Sequence, residues 1–118
     1  MRLNPKLNKY STTEQTIGTW IDGKPLYRKV VVYTGTKTNF TQIPHGISNF
    51  KEIINVSGKI ADRILPTAYG ATGTLNTSNY FAFIYLVNPT NIEISISNYL
   101  ITSSSPIILI LEYTKTTD

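Results

Sequence analysis

Catalysis in this chain would have to run through very few groups. There is one histidine, His45, and no cysteine. A Cys/His zinc site and a cysteine nucleophile are therefore excluded. A Ser-His-Asp triad would have to use His45, which lies in the turn signal Pro44-His45-Gly46, and no Gly-x-Ser-x-Gly elbow accompanies it. His45 reads as a turn residue whose ring packs or hydrogen-bonds locally, with an interface contact as the alternative. The seven carboxylates are Glu14, Asp22, Glu52, Asp62, Glu93, Glu112 and Asp118. Glycoside hydrolysis needs two of them facing each other across a cleft, and each is isolated in sequence. No clustered oxygen ligands of the D-x-D-x-D-G kind are present for calcium, and Gly70-Ala71-Thr72-Gly73 lacks the Lys-Ser/Thr of a phosphate loop. The expectation is a non-enzymatic chain with no metal and no cofactor. A hydrolase assembled from carboxylates brought together by folding is the remaining chemical alternative.

Contact chemistry is better supplied. Tyr69, Asn76, Thr77, Asn79 and Tyr80 lie in or beside the stretch 67–79, and offer amide, hydroxyl and aromatic groups suited to a polyhydroxylated glycan. An ordinary surface loop of turn-formers reads the same way. The loops at 34–41 and 98–105 are the next candidates for ligand contact. Trp20 and Tyr27 flank the turn Asp22-Gly23-Lys24-Pro25, and either pin two strands as core aromatics or serve as sugar platforms or interface anchors. The core reading is preferred, and predicts a largely buried Trp20.

The net charge is +4 with 11 Lys and Arg. Phosphate tracking needs a clustered basic stripe beside exposed aromatics, whereas these cations are scattered. Nucleic acid is therefore not the expected partner. No cysteine framework staples the chain. Residues 1–5 are not followed by the apolar core of a signal peptide, and the longest apolar runs, at about eight residues, are too short to cross a bilayer.

The elements that must position these groups are strands. Thr, Ser, Asn, Ile and Tyr dominate, favouring pleated strands separated by turns. Residues 1–9 read as a flexible leader or junction and 10–118 as one domain. Strands are expected at 16–21 and 26–33, then an edge piece at 40–43, then 50–56 closing at Ser57-Gly58. Residues 59–65 read as strand or irregular, and 67–79 as the longest loop. Further strands are expected at 80–87, 92–97 and 107–113. The sum is an antiparallel β-sandwich, jelly-roll-like, of about seven or eight short strands.

Two segments also carry a resemblance. Gly-Thr-Trp-Ile-Asp-Gly-Lys-Pro-Leu-Tyr-Arg-Lys at 18–29 and Leu-Glu-Tyr-Thr-Lys-Thr-Thr-Asp at 111–118 are similar to the two ends of a module of tailed-bacteriophage virion proteins, of tail-fibre, baseplate or head-fibre type. That resemblance implies a structural motif of Trp20, Asp22, Gly23, Pro25 and Tyr27. It also implies a virion location after assembly in the host cytoplasm, other virion proteins as partners, and a distal domain that trimerises and binds a host-surface glycan. The alternatives are a capsid-decoration or head-fibre subunit that only docks on virion proteins, and a free-standing lectin-like domain.

Assembly has a second, independent sign in strands that are apolar on both faces. With Ile107, Leu109, Leu111 and Tyr113 facing the core, Ile108 and Ile110 point outward. In 80–87, Phe81, Phe83 and Tyr85 share one face, and Ala82, Ile84 and Leu86 the other. Val30-Val31-Val32 repeats the problem. Soluble monomers rarely show apolar patches beyond a few hundred Å². A homotrimer is expected, its interface drawing on Ile108, Ile110, Phe81, Phe83 and Arg28.

Overall fold

In a computed structural model, which describes residues 9–61, 63–69, 80–97, 101 and 104–118, the apolar runs become nine strands. They are β1 (Gln15–Thr19), β2 (Pro25–Tyr33), β3 (Phe40–Pro44), β4 (Phe50–Ile60), β5 (Arg63–Leu65), β6 (Thr67–Tyr69), β7 (Tyr80–Val87), β8 (Asn91–Ile96) and β9 (Ile107–Lys115). A five-stranded sheet runs β1-β2-β9-β4-β5 and a four-stranded sheet runs β3-β8-β7-β6. Every pairing is antiparallel. The fold is the expected all-β sandwich. The β2–β9 and β3–β8 pairs nest one within the other, as in a jelly roll, whereas β4–β5 and β7–β8 are simple hairpins that depart from the full pattern.

Strand alternation builds the core. Along β9, Ile107, Leu109, Leu111 and Tyr113 are all at most 1% exposed, while Ile108, Ile110 and Glu112 face outward. Ile92, Ile94 and Ile96 of β8 and Ile43 of β3 meet them from the smaller sheet. Each such aliphatic side chain stabilises the fold by roughly 1.5–3 kcal/mol. Tyr113 is the large aromatic at the centre, with the rings of Tyr27 and Phe50 at 5.9 and 6.1 Å.

Four expectations need correction. Trp20 is half-buried and outside the core cluster. The turn beside it forms as read: Trp20 N–H donates to Lys24 O, Lys24 N–H donates to Asp22 Oδ1, and Gly23 takes φ 83°. However, β1 is an edge strand whose residues are half-buried or exposed throughout, so no second layer covers the corner. Gly58 does not end a strand. It lies inside β4 opposite Leu109, where a Cβ would sit 2.5 Å from Leu109 Cδ2 and 2.8 Å from Ile108 O. Glycine here admits the leucine rather than breaking the strand. The stretch 59–65 is accordingly the end of β4, a tight turn at Ala61 (φ 54°) and β5.

The third correction is Ser97: strict alternation along 92–97 sets Ile92, Ile94 and Ile96 on one face and Glu93, Ser95 and Ser97 on the other, but Ser97 is fully buried and its Oγ accepts from Phe81 N–H. The fourth lies in β7, where a bulge between Ile84 and Leu86 sets Tyr85 and Leu86 together opposite Glu93. An extra residue in one strand breaks the period of two. Leu86, expected on the face of Ala82 and Ile84, is turned outward at 44% exposure, and Val87 takes the place against the core.

Candidate interaction surfaces

The two segments that carry the family resemblance lie side by side. Strand β2 pairs with β9, with Tyr27 opposite Tyr113 and Arg28 opposite Glu112. Tyr27 Oη–H donates to Asp118 Oδ2 at 2.6 Å, and Lys24 Nζ donates to the Asp118 backbone oxygen at 2.8 Å. Tyr113 Oη–H donates to Glu14 Oε1 at 2.6 Å, while Lys115 Nζ pairs with Glu14 Oε2 at 2.8 Å. The hydrogen bond to Asp118 pushes the Tyr27 pKa up to about 12. Burial, then the bond to Glu14, raises that of Tyr113 further. Both phenols are held as neutral donors, so this cluster ties the ends of the domain to the core. Glu14 is engaged by Tyr113 and Lys115, while Arg28 stands opposite Glu112 with its guanidinium 4.0 Å from the centre of the Tyr10 ring, buried at 8% exposure. That cover withdraws Arg28 from an accessible interface.

His45 has the local role read from its turn. Its Nδ1 accepts from Ile47 N–H at 3.1 Å, so the proton sits on Nε2, which donates to Asn88 O at 2.8 Å. The ring packs on Phe50 at 5.1 Å. Among the described residues, no group of three His, Cys, Asp or Glu could hold a metal ion, and no helix is long and apolar enough to cross a membrane.

Two outward faces remain. On the five-stranded sheet the pairing lines up Val30, Ile110 and Ser57 in one row and Val32, Ile108, Lys59 and Ile64 in the next. Val32 is 48% exposed and Ile64 77%. A depression of about 290 Å³ lies on this face, lined by Ser57, Gly58, Lys59, Ile64, Ile108 and Ile110. A neighbouring one of about 410 Å³ is lined by Lys59, Ala61, Ser105, Pro106 and Ile108. The Ile108 and Ile110 expected at an interface therefore lie beside Val30 and Val32 in an aliphatic strip, with Lys59 standing between Ile108 and Ile64.

Phe81 and Phe83 belong to the other sheet. Their rings stack at 5.3 Å, and Phe81 is buried although it stands apart from the core cluster. In register across that face run Phe40, Ser95 and Phe83, followed by Gln42, Glu93 and Leu86. Phe40 lies in the stretch 34–41 that was a candidate for ligand contact, but its place in a row with Ser95 and Phe83, beside Glu93, was not legible, because pairing across β8 and the β7 bulge is not visible in a single strand. The glycan candidates Asn76, Thr77 and Asn79 lie outside the described residues. The backbones of Tyr69 and Tyr80 pair with each other across β6 and β7, so part of the expected loop is strand. No family model, curated protein or solved structure matches the chain.

Proposed function

We propose that the chain is a non-enzymatic structural module of a bacteriophage virion, a tail-fibre or baseplate domain that self-assembles and meets the host surface. The virion reading rests on the resemblance at 18–29 and 111–118; the direct pairing of β2 with β9 supports treating the two segments as parts of one unit. Self-assembly rests on one observation, the aliphatic strip of Val30, Val32, Ile108 and Ile110, with Ile64 beyond Lys59 at its edge. Covering such a strip with a second copy removes apolar surface from water at roughly 25 cal/mol per Å². A threefold ring is the assembly usual for appendages of this type, and β9 then lies near the axis.

The interface includes Ile108 and Ile110 but not Phe81 and Phe83 with them. Cyclic trimers join two different patches, and the ring closes only if those patches converge on the axis. Patches on the two outer faces of one sandwich point away from each other, and joining them builds open stacks.

Light scattering at micromolar concentration tests the assembly. The expected mass is three times the 13.2 kDa of one chain, falling to 13.2 kDa in Ile108→Lys with an unchanged circular dichroism spectrum. A wild-type monomer overturns the reading. Location is tested by antibody labelling of purified phage particles, where the chain is expected on tails or head appendages.

A further inference from the structure

We infer that the outer face of the four-stranded sheet is a binding platform for a neutral, β-linked polysaccharide, centred on Phe40, Tyr85 and Phe83. The inference leans on the appendage reading only for the source of the saccharide; the recognition chemistry belongs to the face itself.

Three observations carry it. First, large rings stand in water where a folded chain ordinarily hides them: Phe40 is 70% exposed and Tyr85 50%. Plain alternation places Tyr85 on this face with Phe83, and the bulge in β7 adds Leu86 to the same side opposite Glu93. Second, the rings are arranged as a seat. Phe40 and Tyr85 meet edge to face at 6.3 Å and 87°, reaching toward each other over the middle strand β8. One ring then gives a floor and the other a wall, with the small Ser95 between Phe40 and Phe83. The floor carries the negative face of an aromatic quadrupole. A β-linked gluco-configured pyranose presents the matching partner, since its axial C–H bonds collect on the two ring faces with partial positive charge.

Third, the polar groups beside the rings suit hydroxyls. Gln42 Nε2 donates to Glu93 Oε1 at 2.8 Å, which fixes an amide and a carboxylate side by side next to the aromatic pair. Their remaining oxygens accept from sugar hydroxyls, and the Tyr85 and Ser95 hydroxyls both donate and accept. Charge decides between polymers. Among the described residues in these rows, Phe40, Ser95, Phe83, Gln42, Glu93 and Leu86, there is a carboxylate and no cation, although the chain as a whole is +4. A polyphosphate or acidic glycan would meet Glu93 unfavourably, whereas a neutral one meets no repulsion. Both depressions described above lie on the other sheet; on this face the exposed rings of Phe40 and Tyr85 offer an open seat for an extended chain.

Calorimetry on the intact chain with cellohexaose and chitohexaose, and polygalacturonate as the charged comparator, tests the assignment. At least one neutral hexasaccharide should bind and polygalacturonate should not. Phe40→Ala and Tyr85→Ala should each weaken binding at least about tenfold, while Tyr85→Phe, which keeps the ring, stays within about threefold of wild type. Because both side chains are exposed, melting curves of the variants should overlay the wild type. Ile108→Lys should retain binding, which separates a failure of the assembly reading from a failure of this one. The inference is overturned if neither hexasaccharide binds, or if binding survives both alanine variants. It is equally overturned if Phe40→Ala or Tyr85→Ala lowers the mass by light scattering, since the face would then be a protein contact.

Discussion

The two outer faces of the sandwich occupy equivalent positions, each one layer away from the same core, yet they are built on different principles. On the five-stranded sheet, β2 and β9 keep the strand period without interruption, and the outward residues fall in register as aliphatics: Val30 beside Ile110, Val32 beside Ile108. Branched aliphatic side chains interlock well with similar ones on a protein, and offer a sugar nothing to hydrogen-bond. On the four-stranded sheet the period is broken at the β7 bulge, and the outward residues are aromatic with a Gln42–Glu93 pair beside them. A surface that is apolar by uninterrupted alternation and one that is apolar by a local break of it are thus assigned different partners. Topological position does not decide what a face meets. Side-chain chemistry and register do.

The comparison is broken most severely through the strand behind the aliphatic face. Leu109 is fully buried between Ile108 and Ile110, so Leu109→Ala should lower stability by about 2–5 kcal/mol. Urea denaturation would measure this, and the loss should appear whether or not the chain is assembled. Should Leu109→Ala reduce the mass without changing the unfolding midpoint, the inward and outward sides of β9 have been interchanged.

Next in size is Gly58, which packs directly against Leu109 and the Ile108 carbonyl. An added Cβ would collide with Leu109 Cδ2 and the Ile108 carbonyl, so Gly58→Ala is expected to destabilise by about 1–3 kcal/mol. It should also disturb the 290 Å³ depression on the aliphatic face. The aromatic face, on the other sheet, should keep its saccharide affinity in whatever fraction remains folded.

A smaller effect comes from the tyrosines that join the chain ends to β9. The folded-state pKa of Tyr27 is raised from 10.0 to about 12, chiefly by its hydrogen bond to Asp118. That of Tyr113 is also raised, chiefly by burial. A raised value means the fold holds the proton more firmly than the unfolded chain. The stabilisation is therefore complete below about pH 10 and is lost as pH rises through the folded values. Thermal melts from pH 8 upward should be flat to about pH 10 and then fall, and Tyr27→Phe should lessen the fall while lowering neutral stability by about 1 kcal/mol. The smallest effect is expected on the aromatic face. Phe40→Ala should change stability by no more than about 0.5 kcal/mol, as for exposed positions generally, and should leave the assembly mass unaltered. That near-silence sharpens the contrast with Ile108→Lys.

Much of the fold was legible because it depends on period. Ile92, Ile94 and Ile96 read inward from alternation alone, as did Ile107, Leu109, Leu111 and Tyr113, and all are buried. The turn at Asp22-Gly23 was legible too, since a side-chain hydrogen bond and a positive φ at glycine are local properties. The local role of His45 followed from its place in a turn and is realised through Ile47 and Asn88. Trp20 was misjudged for the opposite reason: whether a large ring is covered depends on which layer lies over it, and a hairpin at a sheet edge has none.

What the sequence determined by itself was therefore strand identity, the inward set of the strongest strands, and the poverty of catalytic groups, since each follows from residue type and short-range spacing. Which strands become neighbours was decided only in three dimensions. The β2–β9 pairing unites residues 74 to 86 positions apart, and with it Glu14, Tyr27, Tyr113 and Asp118. The one-residue bulge that turns Leu86 out beside Tyr85, and the meeting of Tyr85 with Phe40, are likewise properties of strands in register. No run of side chains read along one strand contains the register of its partner, so the composition of the two outer faces was the last thing to become visible.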